Sequence, residues 1–213
     1  RRLGEAPLLV AVDPGTLAET PRPHAEALVV PIPVDPSPAT PAPRDIAALT
    51  YAANPHKKGL DRVLAAWARA RVGGEQLVIA GADLRLDAPG VRVAGRLAPE
   101  TYRALLRRAR VFVAAPRRED YGVAQLEALA DGCMLVTTAA PGPYAALPLA
   151  RALDPRLVVD RDDRGGALAT ALRIALDAPA PEYAARAAAA IAPFRREAVD
   201  AVVRDELLPR LLR

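Results

Sequence analysis

From residue 44 to about residue 180 the chain alternates two kinds of segment, and this alternation constrains the fold more than any other feature. Short, predominantly apolar runs at Ile46 to Ala53, Gln76 to Ala80, Val91 to Ala94, Val111 to Ala115, Cys133 to Thr137 and Leu157 to Val159 lack the in-and-out alternation of a half-exposed strand. They read as strands buried on both faces. Between them, apolar residues recur at helical spacing: Leu60, Val63, Leu64 and Trp67, then Tyr102, Leu105 and Leu106 behind Pro99, then Leu168, Leu172 and Leu176. Tyr121 to Ala130 is also helical, with Gly132 placed as its C-terminal stop. Strand and helix in turn predict an α/β fold, a doubly wound parallel sheet with helices on both faces.

The flanks differ. Ten of the 22 prolines fall in the first 43 residues, where two apolar runs, Leu8 to Val12 and Leu28 to Ile32, are separated by turn formers. Val34 to Pro43 reads as an extended connector, which places a boundary near Pro43. Residues 44–180 form the predicted domain. Residues 181–213 are Ala-rich and helical, with a break at Pro193. Aromatic residues make up 4% of the chain, so the core has to be built from Ala, Leu and Val.

No apolar run approaches the 18 or so residues of a membrane span, and Arg1 to Leu17 is too broken by Pro and charge for a signal peptide. A soluble, cytoplasmic protein is expected. A lone cysteine, Cys133, excludes a disulfide framework and, with only His24 and His56 beside it, a cysteine-built zinc site. Neither metal nor cofactor is expected. The net charge is +4, but arginines are interleaved with Asp and Glu throughout, which argues against a nucleic-acid surface. Lys57 and Lys58, side by side, are the only lysines.

Open parallel sheets bind ligands beyond the carboxyl ends of their strands. No G-x-G-x-x-G follows a strand and there is no G-K-[ST], which disfavours a dinucleotide dehydrogenase and a P-loop NTPase. The richest loop runs from Pro116 to Glu127 and includes Glu119, Asp120, Tyr121, Gly122 and Val123. Its two carboxylates suit hydroxyl pairs, and Gly122 would let an anion approach the free N–H groups of a helix start. The alternative is that Glu119 caps the helix and Glu127 is a surface residue paired with Arg. The second loop, Asn54 to Gly59, sets Lys58 at a helix N-terminus, where its charge is unfavourable unless an anion joins it. Solvated turn lysines are the alternative there. His56 reads as a turn residue, Cys133 and Trp67 as core, and Asp160, Asp162 and Asp163 as a solvated turn.

Asn54 to Leu64 (NPHKKGLDRVL), Leu77 to Gly81 (LVIAG), Val93 to Arg96 (VAGR), Val111 to Pro116 (VFVAAP) and Glu119 to Gly132 (EDYGVAQLEALADG) occur in the order of the donor-binding, C-terminal domain of family 4 (group 1) glycosyltransferases. The resemblance covers about residues 46–180. Its most specific element is a pair of glutamates separated by seven residues, and Leu28 to Asp35 (LVVPIPVD) resembles the family's entry into its linker. The resemblance implies a Rossmann-like GT-B domain with closing helices. It also implies transfer of a sugar from a UDP-, GDP-, ADP- or dTDP-linked donor, with retention and without a tightly bound metal. By position, Glu119 would contact the transferred sugar and Glu127 the ribose diol. Lys58 would neutralise the diphosphate, with Gly122 and Val123 amides beside it. Asn54 would join the donor contacts, and the backbone near Arg96 would lie near the base.

Three departures stand out. Ala53 occupies the position of a usual arginine, Asp120 replaces a usual glycine, and Pro141-Gly142-Pro143 replaces a glycine-rich loop. Residues 1–43 resemble the end of a first, acceptor-binding domain plus linker. The acceptor domain itself is then expected as a missing partner, and the isolated chain is expected to be inactive. A nucleotide-sugar epimerase or phosphorylase on the same scaffold, a non-catalytic nucleotide-binding module, and weak peripheral membrane association through the Arg-rich final helix remain as alternatives.

Overall fold

The computed structural model describes residues 8–20, 26–38, 42–160 and 165–212. His24, Asp162, Asp163, the middle of the connector at residues 39–41 and the chain before Leu8 lie outside the described residues.

The chain opens with β1 (Leu8–Ala11), α1 (Pro14–Glu19) and β2 (Glu26–Val29). The two strands pair in parallel as a sheet of their own. The main domain then runs β3 (Ile46–Tyr51), α2 (Leu60–Ala70), β4 (Leu77–Ala80), β5 (Val91–Gly95), α3 (Pro99–Arg108), β6 (Ala109–Ala114), α4 (Val123–Ala130), β7 (Met134–Thr138), α5 (Ala146–Leu153), β8 (Val158–Val159) and α6 (Gly166–Asp177). Among the described residues β3 to β8 form one fully parallel six-stranded sheet in the order β5-β4-β3-β6-β7-β8. The apolar runs read as doubly buried strands are such strands: all four residues of β4 and all five of β7 are buried.

Two helices were not legible. α1 hides in Asp13-Pro14-Gly15, which reads as a turn. Asp13 in fact caps the helix, accepting from the Thr16 N–H at 2.9 Å, and Pro14 sits where no N–H is needed. α5 follows three turn formers and contains Pro148, tolerated because it falls in the first turn.

The sheet is covered on both faces. α2 and α6 pack together on one side, and α3, α4, α5 and α7 (Tyr183–Ala190) on the other. Trp67 is 1% exposed and gives its Nε1–H to the Gly90 carbonyl at 3.1 Å. Cys133 is fully buried, and burial pushes its thiol up to about 12. Both are core residues, as expected.

After α7 a short 3-10 turn at Ala192–Phe194 carries Pro193, and α8 (Arg196–Val202) and α9 (Leu208–Leu211) follow. The break at Pro193 is where the sequence placed it. The first segment is bound to the tail and to the domain. The Val34 N–H donates to the Phe194 carbonyl at 2.7 Å, and the Ile32 N–H to Tyr121 Oη at 2.9 Å. Among the described residues no helix is long and apolar enough to cross a membrane.

Candidate functional site at the reversal of strand order

The strand order reverses between β3 and β6, since β4 and β5 lie beyond one and β7 and β8 beyond the other. The helices that follow these two strands lie on opposite faces, and in open α/β sheets ligands bind beyond the strand ends at such a reversal. The loops after β3 and β6 carry Asn54, Lys58, Glu119 and Gly122, whereas Val123 and Glu127 lie in α4 and Arg96 follows β5.

Gly59 brings the loops together. Its φ is +63°, and a Cβ there would stand 1.9 Å from the Ala115 carbonyl oxygen. No other residue allows this approach of the α2 start to the end of β6. The Arg117 N–H then donates to the Lys57 carbonyl at 3.0 Å, joining the two loops through their backbones. Asn54 shapes the turn from within: its Oδ1 accepts the Lys57 N–H at 2.9 Å, and its carbonyl accepts the Lys58 N–H at 2.9 Å.

Lys58 Nζ consequently lies 2.7 Å from Glu119 Oε2. The pair is sheltered, with 23% and 6% of the two side chains exposed. Gln125 Nε2 adds a second donor to the same oxygen at 3.1 Å, and the Glu119 backbone is held on both sides by Pro141 and Tyr144. The unfavourable position of Lys58 at a helix start is thus balanced by an internal anion. Outside this pair, Lys57 binds Asp120 at 2.6 Å. Lys57 and Arg118 hold that exposed carboxyl below its ordinary range.

Glu119 does not cap α4. Gly122, at φ +94°, occupies the cap position, and among the described residues no side chain caps the first turn. Among the described residues the first-turn N–H groups beginning with Val123 have no partner.

Glu127 stands elsewhere. It faces α3, where Arg103 Nη1 donates to its Oε1 at 3.3 Å. Burial pushes its carboxyl up, against the pull of Arg103. The surface-residue alternative holds for the arginine partner but not for exposure, since Glu127 is half-buried. No direct bond joins it to Lys58 or Glu119 among the described residues.

Arg96 is exposed, binds Asp83 at 3.6 Å and lines a hollow of about 430 Å³ with Tyr51, Ala53, Ala80, Gly81, Leu97 and Tyr102. The rings of Tyr51 and Tyr102 meet at 5.2 Å, and the buried Tyr102 hydroxyl has no hydrogen-bond partner among the described residues. Burial and then the nearby Glu127 charge push that phenol well above its ordinary range. A larger hollow of about 580 Å³ opens between α2 and the ends of β6 and β7. None of Lys58, Glu119, Gly122 or Glu127 lines it.

Sequence reading missed Tyr51, Tyr102, Arg103 and Gln125. Tyr102 and Gln125 sit at spacings indistinguishable from core positions of a helix, and Arg103 is one arginine among many. His56 is an exposed turn residue whose carbonyl accepts from Arg117 at 2.7 Å. Among the described residues no group of three metal-binding side chains is present.

Chemically, the arrangement offers one sheltered ammonium and an open helix N-terminus for an anion. Glu119 supplies a carboxylate at the ammonium, Glu127 supplies a second one apart from it on the α3 side, and Tyr51 and Tyr102 wall a separate hollow. Solved structures share the fold. Sucrose-phosphate synthase from Thermosynechococcus elongatus superimposes with a TM-score of 0.76 at 19% identity, covering 99% of this chain and 59% of that one. WaaG, a glycosyltransferase involved in lipopolysaccharide biosynthesis, gives 0.69 at 17% identity, with 91% and 62% covered. A UDP-forming α,α-trehalose-phosphate synthase from Burkholderia xenovorans gives 0.64 at 20%, with 89% and 52% covered. The chain thus spans about half to three fifths of the length of these relatives, and the fold it shares with them is GT-B. No curated protein sequence matches it. Residues 45–178, however, match the family described as glycosyl transferases group 1. With the doubly wound sheet and the two converging loops in place, this chain belongs to the group 1 glycosyltransferases.

Proposed function

We propose that the chain is the donor-binding part of a retaining glycosyltransferase that uses a nucleoside-diphosphate sugar. The observation that carries this reading is the Lys58–Glu119 pair at 2.7 Å beside the uncapped start of α4, at the reversal of strand order. A diphosphate entering the crevice takes Lys58 from Glu119 and meets the Val123 amide over Gly122. The released Glu119 carboxylate accepts from hydroxyls of the transferred sugar. Glu127 accepts from the ribose diol, and the hollow between Tyr51, Tyr102 and Arg96 receives the base. Asn54 acts through the turn that aims Lys58. The rate advantage comes from charge placed where the leaving diphosphate develops its own, and from holding the sugar in position.

Several solved relatives name UDP or a UDP sugar in their descriptions, which makes UDP the first donor to try. Residues 1–43 are read as the end of an acceptor-binding domain plus the linker. The acceptor is bound by that domain, and the cytoplasm is the proposed location.

Calorimetry or ligand-observed NMR with UDP, GDP, ADP, dTDP and their sugars tests the site. Lys58→Ala and Glu127→Ala should each weaken binding by about tenfold or more, as for hydrogen bonds to charged groups. Only the lysine variant should lose salt sensitivity. Unchanged affinity in both variants moves the site elsewhere. A second reading, a nucleotide-binding module without transfer, is favoured by Ala53, which leaves one cation short of the family pattern. Sugar transfer by the chain joined to its acceptor domain would dismiss it.

A further inference from the structure

Arg103 sits on α3 and makes four contacts that the proposed function does not use. Its Nη1 holds Glu127 Oε1 at 3.3 Å, and its Nε lies 2.9 Å from Asp131 Oδ2 and 3.0 Å from Ser37 Oγ. Its Nη2 donates to the Asp35 carbonyl at 2.8 Å. Asp131, with only 2% of its side chain exposed, accepts from the Ser37 N–H and the Ser37 hydroxyl at 2.7 Å each. Asp35 in turn accepts the Arg196 N–H at 2.9 Å at the start of α8. A single guanidinium therefore touches Glu127, the buried carboxylate of Asp131 at the C-terminal cap of the same helix, and the connector that joins the first segment to the domain.

A guanidinium fork fixes the direction of a carboxylate far better than a flexible ammonium does. Here the fork is itself fixed by three partners other than Glu127, so Oε1 of Glu127 is anchored to something rigid. No hydrogen bond to Oε2 is present among the described residues. Groups that orient a ligand-binding side chain in this way set its affinity without touching the ligand.

We propose that Arg103 is a positioning residue for recognition of the ribose diol, and that the connector at Asp35 and Ser37 sets its position. The inference rests on the reading of Glu127 as the diol acceptor. Occupation of the nucleotide site and the seating of the connector are then two faces of one network. A donor is read well only when the first segment is docked.

The test compares affinities for UDP, GDP and ADP with those for their 2′,3′-dideoxy counterparts, by ligand-observed NMR on the whole chain. The quantity read is the ribo-to-dideoxy preference within each variant, which a uniform loss of folded protein does not change. Wild type should prefer the ribonucleotide by about tenfold or more. Arg103→Met and Arg103→Lys should each lose most of that preference while keeping the dideoxy affinity, because lysine cannot span Glu127, Asp131 and the connector at once. Ser37→Ala should lose part of it.

Full preference in both Arg103 variants overturns the inference while leaving the nucleotide site standing. An equal fall in both affinities makes Arg103 merely structural and overturns it too. Unchanged preference in Ser37→Ala removes the connector from the proposal. Absence of preference in wild type, or of any nucleotide binding, sinks the underlying reading of Glu127 instead.

Discussion

Two carboxylates only eight positions apart meet different fates in this fold. Glu119 is sheltered and neutralised by Lys58, whereas Glu127 has one arginine at 3.3 Å and a burial cost that exceeds its help. A carboxyl raised above its ordinary value of 4.5 contributes stability that is present below that value and is lost as pH rises through the folded pKa. Glu127→Gln cannot ionise and should therefore gain melting temperature relative to wild type between pH 4 and pH 7. Thermal unfolding of both proteins at the two pH values checks this. A wild-type advantage that grows toward pH 7 would mean that Arg103 outweighs burial. Positions that cost the fold stability are commonly those kept for function. The glutamate spacing was visible in the sequence. The partners that separate the two were not, because Lys58 lies 61 positions from Glu119 and Arg103 lies 24 from Glu127.

At the level of elements, the site depends on how tightly α2 begins against β6. Gly59→Ala would combine a left-handed backbone with a Cβ 1.9 Å from a carbonyl oxygen. Strain of that kind costs about 1–3 kcal/mol, and overpacking about as much again. A loss of roughly 2–6 kcal/mol in urea unfolding is expected, with the Lys58–Glu119 contact opened. Gly122 is also left-handed, at φ +94°, but its nearest obstacle is the buried Tyr144 ring at 3.0 Å rather than a backbone oxygen at 1.9 Å, so Gly122→Ala should cost less. Measurement of both urea midpoints decides the order, and the reverse order would mean that the α2 start is not the tight point. Strand and helix identities were largely readable because a doubly buried strand and an amphipathic helix differ in period. α1 and α5 were not, since proline in a first turn looks in sequence like proline in a loop.

For the molecule as a whole, the helical tail is part of the domain rather than an appendage. Tyr183, Ala187 and Ile191 belong to the central core, and Tyr183 Oη accepts the Leu135 N–H from within the sheet at 3.1 Å. The family match ends at residue 178, but a chain ending there would expose this part of the core. Burying Tyr183 and Ile191 is worth about 1.5–3 kcal/mol each, and an orphaned Leu135 N–H costs about 1–3 more. That sum rivals the stability of an ordinary domain. A chain truncated at Ala178 should lose its cooperative urea transition and near-UV circular dichroism. An unchanged transition would show that the tail only lies against the domain. The division at residue 181 drawn from composition therefore marks a change of pattern rather than a boundary of folding.

By itself the sequence determined the parallel α/β architecture, the two loops worth inspecting and the family they resemble. All of these are written in local periods and short spacings. Tertiary structure alone decided that Lys58 would be neutralised by Glu119, that Glu127 would turn to Arg103, and that the connector would be bound into the same network. Each of those outcomes depends on distances between residues far apart in the chain. Charge pairing and burial at that range are properties of the folded surface, and no local pattern encodes them.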